Sequence, residues 1–263
     1  GRRAEAAAVA AEHAVARAES CAKCLQYLTE EVPMEHVPEV FQQAFPGLVE
    51  AGKADYLPRK IRRRVFRIVR ELFTSIGTLV SVRGQSRLLP GLQQCVPPWL
   101  HLVSKTLQSA VESRAIGGDR DKNGGDEEGG GSDDDFGVEL EGLRTAMVLL
   151  AHVPSTVGDG RLGQLLPPLW QLLTDGRERH EQSMLSGDGD GEDWDEDGDG
   201  GDKEGGGGYA SDGERQGLDE LIVQSLELLA ATAACPDPQV SGLLGGEGAG
   251  VGSLLAVVIR CAV

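Results

Sequence analysis

A candidate metal-binding loop lies at positions 193–204, where the sequence reads DWDEDGDGGDKE. Five of its residues fit a calcium-binding loop, with oxygen ligands at alternate positions and a glycine at the sharp turn: Asp193, Asp195, Asp197, Gly198 and Glu204. The eighth loop position is also a glycine, and the glycine-rich flanks predict no entering or leaving helix. Such a match arises readily in a tract rich in Asp and Gly, so we expect no specific calcium site, no metal and no cofactor.

Carboxylates are concentrated in two segments of the chain. Residues 118–137 hold 8 acids and 2 bases, and residues 186–214 hold 12 acids and 1 base. The whole chain of 263 residues has a net charge of -17, so these two segments account for all of it and the remainder is neutral. Segments dominated by Gly, Asp and Glu cannot bury enough apolar surface to offset the entropy of ordering. We therefore predict two disordered acidic insertions.

These acidic segments supply the candidate binding residues. The candidate contacts for a basic protein are Asp133, Asp134, Asp135, Glu192, Asp193, Trp194, Asp195, Glu196, Asp197 and Asp199. Trp194 has no core to join in such a tract, and aromatic residues are favoured anchors at interfaces. Ser132 and Ser211 precede acids and are candidate phosphorylation sites, where each phosphate would add up to about two negative charges. Exposed serines in acidic loops are also modified without consequence, and both interpretations stay open.

A basic run lies between the N-terminus and the first acidic segment. Its members are Arg59, Lys60, Arg62, Arg63, Arg64, Arg67 and Arg70. They alternate with Ile61, Val65 and Ile68, so they are predicted to form the solvated side of an amphipathic helix rather than a nucleic-acid patch. Contact with an acidic partner, or with the chain's own acidic segments, is the alternative.

Cysteine and histidine give no catalytic pattern. Cys21 and Cys24 lie within a helical run, AESCAKCLQYLTEEV, and are expected in the core rather than at a zinc or redox site. The five histidines show no pairing with a nucleophile and no ligand spacing. We therefore expect a protein that is not an enzyme. Irregularly spaced cysteines and the lack of an apolar run near 20 residues predict a soluble protein of a reducing compartment. The first residue is not Met and the last residues are apolar, so we expect a fragment.

Apolar residues outside the acidic segments recur at helical spacing. The predicted helical runs are 14–32, 37–50, 59–80, 88–108, 138–153, 162–174 and 218–234. No segment alternates with period two for long enough to predict a strand. The sequence predicts an all-α fold.

An internal repeat predicts how these helices are arranged. Leu28, Val32, Pro33, Phe41, Gln43, Pro46 and Leu48 recur 121 residues later as Leu149, Val153, Pro154, Leu162, Gln164, Pro167 and Leu169. QQCVPPWL at 93–100 repeats the second half of this pattern, and a proline inside a helix kinks it. Stacked antiparallel helix pairs of about 45 residues each are typical of a HEAT-repeat α-solenoid, which we predict across residues 1–263. The predicted pairs are 8–50, 58–110, 138–182 and 217–263.

Both acidic segments follow the second helix of one predicted pair and precede the first helix of the next. In a stacked array such connections lie on one edge, about 10 Å apart at helix-packing distances. We therefore expect the whole net charge of the chain along one rim.

The order of these elements resembles a known family. CLQYLTEEVP, KIRRRVFRIVRELFTSIG, LLPGLQQCVPPWLHLVSKTLQ, LRTAMVLLAHVPS with QLLPPLWQLLTDG, and YASDGERQGLDELIVQSLELLAATA resemble the N-terminal third of a β-karyopherin, of the importin nine branch. This resemblance rests on helix-packing patterns rather than on a chemical signature. It implies a nuclear import receptor that wraps basic cargo such as histones and binds the GTP form of Ran. It also implies contact with phenylalanine-glycine repeats of nucleoporins and shuttling between cytoplasm and nucleus.

A monomer with no direct contact to nucleic acid or membrane is expected on this reading. The alternative is a HEAT-repeat scaffold or phosphatase-type regulatory subunit, in which the acidic segments only keep the chain soluble.

Overall fold

The computed structural model describes residues 2–117, 136–158, 161–186 and 212–244. All regular structure within these ranges is helical, which confirms the predicted all-α class. None of the described helices is long and apolar enough to cross a membrane. The candidate contact residues, both candidate phosphorylation sites and the calcium-like loop at 193–204 lie outside the described residues.

Seven long helices follow the predicted periodic runs. They are α1 (Arg2–Glu31), α2 (Val37–Lys53), α3 (Arg59–Ser81), α4 (Leu89–Gly117), α5 (Gly137–His152), α6 (Leu166–Ser186) and α7 (Asp212–Ala234). A short helix, α8 (Pro238–Ser241), and 3-10 turns at Ser86–Leu88, Pro154–Thr156, Leu162–Leu165 and Gly242–Leu244 complete the described elements. For the second helix of the fourth predicted pair, the described residues end at Leu244 and include α8 and the 3-10 turn after it.

The helices pack in two layers. In one layer α1 lies against α3, α3 against α5 and α5 against α7; in the other, α2 lies against α4 and α4 against α6. The layers are joined by each second helix packing on the first helix that follows it, α2 on α3, α4 on α5 and α6 on α7. Helices α3 and α5 run parallel, because Arg59 meets Glu139 at their N-terminal ends and Gly77 adjoins His152 at their C-terminal ends.

The recurring proline takes two positions. Pro46 and Pro97 lie inside α2 and α4, as the repeat predicts. Pro167 lies in the first turn of α6 instead, because the 3-10 turn Leu162–Leu165 occupies the preceding residues. Proline is well tolerated in the first turn, where its missing N–H has no intrahelical acceptor.

An aromatic cluster joins α2, α3 and α4. Phe66 and Trp99, both fully buried, have ring centroids 4.6 Å apart, and Phe41 and Phe45 lie 4.9 Å apart. The ring of Phe45 joins the two pairs, because its centroid lies 6.4 Å from that of Trp99. Its centroid also lies 5.7 Å from that of Phe73 on α3. The Trp99 indole N–H has no hydrogen-bond partner, so this ring contributes through packing alone.

The prediction of core cysteines at positions 21 and 24 is wrong: both thiols are exposed. Helix α1 packs on α3 through the face that carries buried Ala22, and no described helix covers its other face. The positions 121 residues later, Gly142 and Thr145, are buried because α5 has neighbours on both sides. Cys21 and Cys24 therefore lie on the face of α1 that corresponds to a buried face of α5, but no described helix packs on that face of α1.

Truncation of Trp99 tests the aromatic cluster. Trp99→Ala should lower the free energy of unfolding by about 3–5 kcal/mol, because a fully buried ring is replaced by a cavity. Trp99→Phe should cost much less, since the ring packing is largely kept and no hydrogen bond is lost. Tyr56→Ala is the control, at an 86% exposed side chain, and should stay within about 0.5 kcal/mol. Urea unfolding measures all three, and equal losses for Trp99→Phe and Trp99→Ala would contradict the packing role.

Candidate functional site at the edge where the acidic segments join the helices

Each acidic segment connects the same kinds of helix ends. The first lies between the C-terminus of α4 at Gly117 and the N-terminus of α5 at Gly137. The second lies between the C-terminus of α6 at Ser186 and the N-terminus of α7 at Asp212. Helices α4 and α6 pack together, as do α5 and α7. The attachment points of the two segments therefore belong to neighbouring helices in both layers.

The points where the two segments re-enter the fold lie in contact. Phe136, which follows the first acidic run directly, is 7% exposed and adjoins Gly217 in the second turn of α7. A Cβ atom on Gly217 would lie 3.1 Å from Phe136 Cδ2, so only glycine allows this approach without a shift. Sequence reasoning included Phe136 in the first insertion, but the structure buries it. This ring holds the re-entry point of the first segment against the helix that follows the second.

A buried carboxylate lies in the first turn of α5, at this edge. Glu139 is 1% exposed, and its Oε2 accepts a hydrogen bond of 2.6 Å from Nη2 of Arg59 on α3. Burial raises the pKa of the Glu139 carboxyl above its ordinary value, and the Arg59 charge offsets only part of that effect. The N-terminal position on α5 also favours a negative charge.

A second buried carboxylate extends the charge pairing across three helices. Glu141, whose side chain is 4% exposed, lies 3.2 Å from Arg70 Nε on α3 and 3.3 Å from Arg144 Nη1 on α5. Glu141 Oε2 has no hydrogen bond of good geometry, so its contact with Arg70 is an ion pair only. Arg144 continues to Glu220 on α7. Both buried carboxylates of α5 are therefore paired with arginines of the first-helix layer.

The basic run of α3 holds the first-helix layer together. Its side chains pair with acids and one amide: Arg59 with Glu139, Lys60 with Glu19, Arg62 with Asp55, Arg64 with Gln26, and Arg70 with Glu141 of α5 and with Glu71 of α3 itself. The predicted solvated face is present at exposed Arg67. It is wrong for Arg62 and Arg70, whose side chains are only 14% and 21% exposed. The acids that they contact, Asp55, Glu71 and Glu141, lie outside the two acidic segments.

One histidine does meet a hydroxyl in the structure. Ser81 Oγ lies 3.0 Å from His152 Nδ1, but the hydroxyl donates its proton to the Gly77 carbonyl at 2.8 Å. This contact joins the C-terminal ends of α3 and α5. Among the described residues, no group of three or more His, Cys, Asp or Glu side chains could hold a metal ion.

Comparison with known proteins found no matching family model, no matching curated protein and no matching solved structure.

The buried carboxylate predicts a specific pH dependence. Because the folded pKa of Glu139 is raised, the folded chain holds more protons than the unfolded chain above pH 4.5, and this group lowers stability as pH rises from 4.5 to its folded pKa. Glu139→Gln should therefore gain stability relative to the wild type across that window. Urea unfolding at a series of pH values measures the difference.

Glu19→Gln should change the pH dependence of stability in the opposite direction. Hydrogen bonds and charges from Lys23 and Lys60 lower the pKa of Glu19, so its contribution is present above pH 4.5 and is lost as pH falls through the folded pKa. This variant should lose stability relative to the wild type as pH rises toward 4.5. Parallel pH profiles for Glu139→Gln and the wild type would contradict the raised pKa.

The contact between the two re-entry points predicts non-additive mutations. Gly217→Leu should lower the free energy of unfolding by about 1–3 kcal/mol, because Phe136 must move. In a Phe136→Ala background the same change should cost less, by about 0.5 kcal/mol or more. Gly47→Leu, where a Cβ meets nothing within 4 Å, is the control and should show no such loss. Additive losses in the double variant would mean that the two residues do not touch.

Proposed function

We propose that this chain is a section of a HEAT-type α-solenoid that binds basic proteins, histones among them, through two acidic segments on one edge. The observation that carries the proposal is the contact of Phe136 with Gly217, which brings the re-entry points of both segments together. Two tethered polyanions held side by side act on one partner at a high effective concentration.

The helix layers support the solenoid part of the proposal. First helices α1, α3, α5 and α7 contact each other in chain order, and second helices α2, α4 and α6 do the same. A repeat unit in such an array contacts mainly its neighbours, which is the contact pattern of the described helices. The parallel course of α3 and α5 also fits stacked pairs.

The charge distribution supports a basic partner. The chain carries a net charge of -17, and the sequence outside the two segments is neutral. In the described part, the two buried carboxylates of α5, Glu139 and Glu141, are paired with Arg59, Arg70 and Arg144. An uncompensated negative field of this kind speeds the encounter with a positive partner and weakens as salt screens it, over about 8 Å at physiological ionic strength.

Within the segments, the proposal assigns separate roles. The carboxylates at 133–135 and around 192–199 attract lysine and arginine side chains, and Trp194 supplies an apolar anchor among them. Phosphorylation of Ser132 or Ser211 would strengthen the field. As the resemblance implies, the full-length protein would shuttle between cytoplasm and nucleus as a monomer, bind nucleoporin repeats, and release cargo on binding Ran-GTP.

Charge neutralisation tests the role of the segments. Replacing the Asp and Glu residues of 119–135 and 188–204 by Asn and Gln should weaken binding of a core histone dimer about ten-fold or more at 0.1 M salt. Neutralising one segment should give an intermediate loss, and the difference should largely vanish near 0.5 M salt. Fluorescence titration of a labelled dimer measures the affinities.

A matched control removes exposed acids elsewhere. Glu31→Gln, Glu35→Gln and Glu50→Gln combined, on exposed positions of α1, α2 and their connection, should change the affinity less than about two-fold. Unchanged affinity after neutralisation of both segments at low salt would favour the scaffold reading, in which the acids only maintain solubility. Capture of the full-length protein by GTP-loaded Ran separates the transport reading from the scaffold reading.

A further inference from the structure

A cavity of about 300 Å³ lies between α2 and α4, in the second-helix layer. Its floor is apolar and is formed by Phe41 and Phe45 of α2, Ile76 of α3 and Leu92 of α4. These side chains also belong to the hydrophobic core, so the floor is held rigidly. A volume of this size is at the lower limit for small-ligand sites and accommodates one or two side chains.

The rim of this α2–α4 groove is polar and positive. Arg87, together with Gln42 and Gln94, lines the groove, and no acidic residue does. Arg87 is exposed and has no ion-pair partner among the described residues. It differs in this respect from the arginines of α3, which pair with Glu139, Asp55 and Glu141. A cation beside an apolar cavity complements a ligand that offers an apolar group and a carboxylate together.

We propose that the α2–α4 groove binds a linear peptide segment that inserts one aromatic side chain into the cavity and pairs an adjacent carboxylate with Arg87. An aromatic side chain fits because the phenylalanine rings of the floor offer tilted ring contacts of the kind seen between Phe41 and Phe45. The two glutamine amides are placed to bond the peptide backbone. The ligand is acidic, so this site is distinct from the acidic segments, which select basic partners.

The groove offers a substitution that fills it without disturbing the fold. Gly91 lines the groove, and a Cβ atom there would meet nothing within 4 Å. Gly91→Leu therefore places a side chain at the groove wall while improving helix propensity within α4. Gly47 on α2 is equally open but does not line the groove, so Gly47→Leu is the matched control.

The test uses a fluorescein-labelled peptide with one Trp flanked on each side by Asp and Glu, titrated with the complete chain. Binding should saturate, and Arg87→Glu should weaken it about ten-fold or more, since charge reversal replaces attraction by repulsion. Arg83→Glu, on an exposed arginine outside the groove, should change it less than about two-fold. Gly91→Leu should abolish binding and Gly47→Leu should not. A peptide with Trp replaced by Ala should not bind.

Cys95 gives an independent readout. This half-buried thiol lines the groove, and burial raises its pKa, so alkylation should be slow and should slow further when the peptide is bound. Mass spectrometry of alkylated Cys95 measures that protection. The proposal is overturned by absent saturation, by equal binding of a Lys-flanked Trp peptide, or by equal effects of the groove and control variants. Histone binding by Arg87→Glu should stay unchanged, which separates this site from the acidic segments.

Discussion

Burial of α5 between α3 and α7 is the constraint on which the rest of this structure depends. Eleven of the 16 residues of α5 are buried, and a Cβ atom on Gly142 would lie 2.9 Å from Val103 Cγ1, so α5 packs closely against α4 at this point. A helix in this position can carry Glu139 and Glu141 only if cations reach them, because a buried, unpaired carboxylate is costly. Arg59 and Arg70 on α3 and Arg144 on α5 meet that need, which fixes the register of the parallel helices and the position of Phe136 at the edge.

Much of the fold could be predicted from the sequence because helical periodicity and interior prolines are local properties. Burial at equivalent repeat positions could not be predicted, because it depends on which helices pack alongside. Leu28 and Leu149 have the same residue type and repeat position, yet Leu28 is 59% exposed and Leu149 is 1% exposed. The difference lies in the neighbours, since α5 has a first helix on both sides and α1 has α3 on one. Cys21 and Cys24 were misassigned to the core for the same reason.

The edge where the acidic segments join the helices could be predicted only in part from the sequence. Charge counts located the acidic segments, and the helix order predicted that they connect equivalent ends. The buried pairs could not be predicted, because glutamates are usually exposed and the α3 arginines that pair with Glu139 and Glu141 are distant in sequence. Phe136 was assigned to a polar segment by its neighbours in sequence, whereas its role is set by Gly217, which is distant in sequence.

The distance between the C-terminal ends of α4 and α6, where the two acidic segments begin, is the best test of the stacked arrangement. The Ser104 hydroxyl of α4 donates a hydrogen bond to the carbonyl of Gln164. If α4 and α6 run parallel from this contact, residue 178 of α6 lies near the C-terminal end of α4. Spin labels at Glu112 and Glu178, both exposed, should then give a single distance distribution centred at about 20 Å, from helix separations near 10 Å plus label tethers. A distribution centred beyond about 35 Å would mean antiparallel second helices and segments leaving opposite edges, and would contradict the account.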